Sequence, residues 1–155
     1  MQAYFEDPLG QLSFAEIQQK TFTPFDQTLV KGHSSSIFWI RVQYTRSVGL
    51  TEPLFLRVLP TLLDSVCIYQ YNAAPINGYH VHCAGDALPF NQRQWKKVTP
   101  FFTIQSTKKS NLFYIRLQST STILMQAELV TQEEALKKDI DYAMIFGVHL
   151  GIIFI

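Results

Sequence analysis

Apolar and polar side chains alternate with a period of two along residues 37–45. Phe38, Ile40, Val42 and Tyr44 therefore fall on one face of an extended strand, and Trp39, Arg41 and Gln43 on the other. Runs of similar texture, rich in β-branched and aromatic residues, recur at 25–30, 54–59, 66–71, 79–83, 99–104, 112–118 and 123–130, separated by clusters of Gly, Pro, Asn, Ser and Thr. Together these make eight expected strands. Within 112–118, Phe113, Ile115 and Leu117 are expected to point inward, with Tyr114 and Arg116 on the opposite face. Many short strands punctuated by turn residues predict an all-β domain, a two-layer sandwich.

Two helices bracket this pattern. Ser13 and Glu16 have the spacing of a capping box, in which each side chain satisfies a backbone N–H of the other, so a short helix is predicted from there to about Lys20. Thr131 and Glu134 repeat the device ahead of the helix formers Ala135, Leu136, Lys137 and Lys138. Residues 142–155 then contain no Asp, Glu, Lys or Arg. At ~1.5 Å per residue this tail covers about 21 Å, short of the ~30 Å hydrocarbon core, and it reads as the interrupted start of a membrane-spanning helix. A buried terminal helix or strand of a soluble domain is the alternative. The expected organisation is a β-sandwich over 1–131 and a juxtamembrane helix entering the membrane over 132–155. Gly147 and Gly151 have the G-x-x-x-G spacing that lets helices approach closely in a membrane, with the ionisable His149 between them.

Composition narrows the function classes. A chain of 155 residues with 47% hydrophobic and 14% aromatic side chains can bury one proper core. Its formal charge of +1 provides no field to recruit nucleic acid, so none is expected as a partner. Residues 1–14 include Glu6, Asp7 and Pro8 and show neither the basic nor the apolar region of a secretory signal. A hairpin of 66–71 and 79–83 would set Tyr71 opposite Tyr79, Tyr69 opposite Val81 and Cys67 opposite Cys83. The two cysteines are favoured as free buried thiols, with a bridge as the alternative.

No G-x-S-x-G elbow, H-E-x-x-H pair or phosphate-cradling glycine loop occurs, and no pair of opposed carboxylates can be nominated, so neither an enzyme nor a cofactor is expected. His80 and His82 alternate on one strand and point the same way. Without an evident third ligand they read as a solvated face, and no metal is expected. Lys96-Lys97 and Lys108-Lys109 read as solvated turns. The candidates for ligand contact are Trp39 and Arg41, an aromatic plane beside a guanidinium fork, together with Asp86 and Arg93 on the irregular stretch 85–97 and Arg116 on a neighbouring strand. Against that stand a buried core tryptophan and an internal ion pair that pins the loop.

The opening Tyr4-Phe5-Glu6-Asp7-Pro8, Leu12-Ser13-Phe14 and the Phe22–Phe25 segment begin a series that continues through Gly32-His33-Ser34 and Phe38-Trp39-Ile40-Arg41-Val42. It runs on through Asp64-Ser65-Val66-Cys67-Ile68-Tyr69, Gly85-Asp86 with Pro89-Phe90 and Arg93, and Tyr114-Ile115-Arg116-Leu117-Gln118-Ser119, to Phe146-Gly147 and Gly151. In order and spacing this series resembles the type 2 extracellular sensory module of bacterial seven-transmembrane receptors with diverse intracellular signalling modules. The resemblance implies a jelly-roll sandwich similar to galactose-binding domains, held outside the cytoplasmic membrane. It also implies a carbohydrate or other small polar ligand, whose occupancy the membrane helices relay to a cytoplasmic output. The competing readings are a carbohydrate-binding or adhesive sandwich without a receptor role, and a small hydrolase. A homodimer is left open.

Overall fold

The computed structural model describes residues 1–45, 52–71, 78–104 and 112–153, the side chains of residues 146 and 149–153 excepted. Its strands are β1 (Gln2–Asp7), β2 (Thr23–Phe25), β3 (Thr28–His33), β4 (Ile37–Gln43), β5 (Leu54–Leu59), β6 (Ser65–Tyr71), β7 (Tyr79–Ala84), β8 (Phe101–Ile104), β9 (Leu112–Gln118) and β10 (Thr122–Val130). They form two antiparallel sheets, one of six strands in the order β2-β1-β4-β9-β6-β7 and one of four in the order β3-β10-β5-β8. Helices α1 (Phe14–Ile17) and α2 (Gln132–Ile153) lie outside the layers.

The alternation in β4 and β9 decides which face is buried. Phe38, Ile40 and Val42 of β4 lie opposite Leu117, Ile115 and Phe113 of β9, and all six enter the core between the sheets. From the other layer Leu56, Val58, Phe102 and Met125 close onto them. Phe38, Leu56, Phe102 and Phe113 are among the largest fully buried side chains, and truncating any one of them should cost about 3–5 kcal/mol.

The larger sheet also buries its outer face. Trp39 and Tyr114, on the alternate parity of β4 and β9, form a second cluster with Ala3, Ile17, Phe22 and Ile37. Helix α1 covers this cluster, and the sequence explains how so short a helix persists. Glu16 Oε2 accepts from the Ser13 amide at 2.8 Å while the Ser13 hydroxyl accepts from the Glu16 amide, so the capping box is complete. The helix stops at Ile17, ahead of the expected end, because the amides of Gln19 and Lys20 turn back on the carbonyls of Glu16 and Ile17 in tighter turns.

Three expectations need correction. The opening segment holds β1, which pairs between β2 and β4; polar Gln2, Glu6 and Asp7 hide it from hydrophobic patterning. The expected strand 25–30 divides at Asp26 and Gln27 into β2 of one sheet and β3 of the other. Cys67 and Cys83 are bridged, where free thiols were favoured. The pairing that makes the bridge is the expected one, since Tyr71 meets Tyr79, Tyr69 meets Val81 and Cys67 meets Cys83. The turn of this hairpin near residue 75, and Lys108-Lys109, lie outside the described residues, as does the side chain of His149.

Helix α2 begins with the second expected capping box, the Thr131 amide reaching Glu134 Oε2 at 2.8 Å and the Glu134 amide reaching the Thr131 hydroxyl at 3.3 Å. Ala135 packs with Val130, Phe55 and Phe101 on the outer face of the smaller sheet. Beyond that contact Ile140, Met144, Ile145 and Val148 are exposed. Among the described residues no helix is long and apolar enough to cross a membrane.

Candidate ligand-binding site

The turns at one end of the sandwich converge on an open cleft of about 660 Å³, within the size range of small-molecule sites. His33, Ser34 and Ser35 come from the β3–β4 connection, Asp64 and Ser65 from the entry to β6, Ala87 from the loop after β7, and Gln118, Ser119 and Thr120 from the β9–β10 turn. Hydroxyl, amide and imidazole side chains stand among the apolar atoms that make up most of its surface, and each of these groups can both donate and accept.

The cleft is braced by Asp64. Its Oδ2 accepts from both the amide and the hydroxyl of Thr120 at 2.7 Å, tying β6 to the β9–β10 turn. Those two bonds, the hydroxyl's first, hold the Asp64 carboxyl below its ordinary value. The Asp64 carbonyl accepts from the Ala87 amide at 2.9 Å, and the Leu63 carbonyl from the Asp86 amide at 2.9 Å. This close approach needs glycine at 85: its φ is +119°, and a Cβ there would sit 2.5 Å from the Asp64 carbonyl oxygen. On the facing side the Thr122 hydroxyl is 3.3 Å from His33 Nε2, and the Ser34 hydroxyl accepts from the Ser36 amide at 3.1 Å.

The residues expected to contact ligand fall into two groups. Trp39, Arg41 and Arg116 share the outer face of the larger sheet, Trp39 lying directly opposite Arg116 and Arg41 opposite Tyr114. Trp39 is 2% exposed and packs against Phe14 and Tyr69 at ring distances of 5.8 and 5.2 Å, so a ligand reaches it only by displacing α1. Arg41 lies 4.9 Å from the centre of the Phe22 ring, and both arginines are half-buried.

Asp86 and Arg93 belong to the loop that leads from β7 of one sheet to β8 of the other. Asp86 is exposed and precedes Ala87 at the cleft. Arg93 pins the loop, but to carbonyl oxygens. Its Nη2 donates to Gly85 at 2.8 Å and Leu88 at 3.3 Å, its Nη1 to Lys97 at 3.1 Å and Val98 at 3.4 Å, and its Nε to Leu88 at 3.4 Å. One side chain thus clamps the first and last residues of the loop together. Trp95 anchors the loop to the smaller sheet, its Nε1 donating to the Thr103 hydroxyl at 3.0 Å and its ring packing on Phe55 and Phe101.

The sequence pattern leaves His33, Ser34, Ser35, Asp64, Ser65, Ser119 and Thr120 between expected strands and puts Gln118 at the end of one, and it nominates none of them for ligand contact. A signal was present nonetheless: Gly32-His33-Ser34, Asp64-Ser65 and Gln118-Ser119 all lie in segments that carry the family resemblance. Elsewhere, His80 and His82 stack at 6.4 Å on β7, and burial followed by the charge of His80 pushes the His82 imidazole below its usual value. Among the described residues no three His, Cys, Asp or Glu gather as a metal site.

A protein-family model described as 7TMR-DISM extracellular 2 matches residues 2–131. No curated protein matches the chain.

Proposed function

The chain belongs to the 7TMR-DISM extracellular 2 family, which makes it an extracellular sensory module of a receptor, and from that premise we propose that it binds a small polyhydroxyl ligand, of the carbohydrate class, in the end cleft. The observation that carries the reading is the convergence of serine, threonine, glutamine, histidine and aspartate side chains from three separate connections on one cleft, with Ala87 of a fourth beside them. Sugar hydroxyls need partners that alternate between donor and acceptor, and these groups provide both.

Signalling is a shift between populations rather than a chemical step. The loop that starts at the cleft with Ala87 ends at Lys97, whose Nζ is 2.6 Å from Asp139 of α2. Arg93 braces both ends of this loop, so ligand pressing on Ala87 displaces a rigid unit that reaches the helix. The far end of α2, with Ile140, Met144, Ile145 and Val148 exposed, then approaches the membrane and carries the displacement onward. Arg41 and Arg116 offer a second polar surface for ligand on the outer sheet face.

Thermal-shift titration of the 155-residue chain against mono- and disaccharides tests the reading, since a ligand selective for the folded state raises Tm with the logarithm of its concentration above Kd. Ala87→Trp, which fills the cleft from an exposed position, should abolish that response while leaving the unliganded Tm nearly unchanged. A sugar response that survives this variant, or a panel with no response, refutes the cleft.

A further inference from the structure

The outer face of the smaller sheet holds a buried guanidinium that the protein leaves poorly satisfied. Arg57 of β5 is 4% exposed, lies opposite Glu128 of β10 and Phe101 of β8, and is overlaid by Asp139 and Tyr142 of α2. Its two carboxylate neighbours stand beyond hydrogen-bonding distance, Glu128 at 3.7 Å and Asp139 at 3.6 Å. Both are taken by lysines instead: Lys138 holds Glu128 at 2.6 Å and Lys97 holds Asp139 at 2.6 Å. Arg57 Nε is buried with no partner. A structural clamp on α2 would have placed the carboxylates on the guanidinium, because an unpaired donor in a desolvated cation is costly.

Arg57, Lys97 and Asp139 line a cavity of about 380 Å³, walled by Leu59, Val98 and Ala143. The ion-pair cluster carries three cations, Arg57, Lys97 and Lys138, against two carboxylates, Glu128 and Asp139. One positive charge is therefore uncompensated, and it lies beside apolar walls. The matching chemistry is a planar oxyanion with a short hydrocarbon body: a guanidinium fork donates to two carboxylate oxygens at once, and its weak hydration suits a buried site.

We propose that this cavity, at the junction of the sandwich and α2, is a binding site for a small organic carboxylate. The carboxylate head takes Arg57 and Lys97 in competition with Asp139, and the apolar body lies against Leu59, Val98 and Ala143. Occupancy replaces the bond that holds α2 to the loop, so the site acts on the helix directly. It lies apart from the end cleft, shares no lining residue with it, and does not depend on the sugar reading.

The test is the Tm of the 155-residue chain in sodium butyrate against sodium chloride of equal ionic strength. Butyrate should raise Tm by roughly 3–5 °C for each tenfold increase in concentration above Kd. Arg57→Gln should weaken butyrate binding at least tenfold. Should that variant fail to fold, Lys97→Gln, at a partly exposed position, should weaken it likewise. Asp139→Asn removes the internal competitor and should tighten binding at least threefold, an outcome a purely structural role for Asp139 does not produce. Ser35→Trp, which blocks the end cleft from the exposed β3–β4 connection, away from the loop that carries Lys97, should leave the butyrate response intact. A butyrate response no larger than that of chloride, an Asp139→Asn variant that binds no tighter, or loss of the response in Ser35→Trp overturns the proposal.

Discussion

Replacing Cys67 and Cys83 together with serine, or reducing their bridge, removes a cross-link between directly paired residues of β6 and β7. The bridged residues are 16 apart in sequence. Closing a loop of that size in the unfolded chain corresponds to about 3 kcal/mol in the chain-entropy model. Typical domain stability is only ~5–15 kcal/mol, so the bridge is a sizeable share. Its loss should also be felt unevenly. Among the described residues strand β7 lies at the edge of its sheet and pairs with β6 alone, whereas β6 is held on its other side by β9. Urea unfolding followed by fluorescence, with and without reductant, should therefore show the midpoint falling by roughly 1–2 M at an m-value near 2 kcal/mol/M. Hydrogen exchange under native conditions should show β7 amides losing protection before those of β6. A midpoint shift below about 0.5 M, or equal loss of protection in both strands, would refute the loop-closure reasoning. The extracellular setting is one in which such a bridge persists.

Phe14→Ala strips the ring that contacts Trp39, Tyr69, Tyr79 and Tyr114 at 4.6–5.8 Å. It should cost about 2–3 kcal/mol and wet Trp39, read as a red shift in tryptophan emission; an unchanged spectrum would show that α1 is not the cover. Arg93→Met takes the guanidinium donors from the carbonyls of Gly85, Leu88, Lys97 and Val98, and a loss of roughly 2–4 kcal/mol with new proteolytic cleavage within 85–97 is expected. A wild-type cleavage pattern in that variant would count against the clamp. Asp64, Glu16 and Glu134 all have carboxyls held down by hydrogen bonds, in each case from a neighbouring hydroxyl and amide. A depressed folded-state value means that their stabilisation is complete above the unfolded value of ~4 and is lost as pH falls through the folded value. Urea midpoints should accordingly drop below about pH 4, and less steeply in Asp64→Asn; an identical acid slope in that variant would exclude Asp64 as a contributor.

The parts of this fold that are legible in the residues are those whose energetics are local. Side-chain alternation alone assigns Phe38, Ile40 and Val42 to one face and Trp39 to the other, and sorts Phe113, Ile115 and Leu117 from Tyr114 and Arg116, because a strand's period allows no other division. Both capping boxes are readable because their partners are three residues apart. The hairpin register follows from symmetric placement of two short strands about one turn.

What depends on distant pairing is invisible at that level. Strand β1 has too few apolar residues to announce itself and exists because β2 and β4 offer it hydrogen bonds on both edges. No periodicity says whether two facing thiols are oxidised, or that Arg93 will spend its donors on carbonyls instead of Asp86. The end cleft is the strongest case. His33, Asp64, Ala87 and Thr120 are spread through the chain, and strand order across two sheets gathers their turns at one end. A turn's composition is set by the need to reverse the chain, so it carries no trace of which other turns will stand beside it.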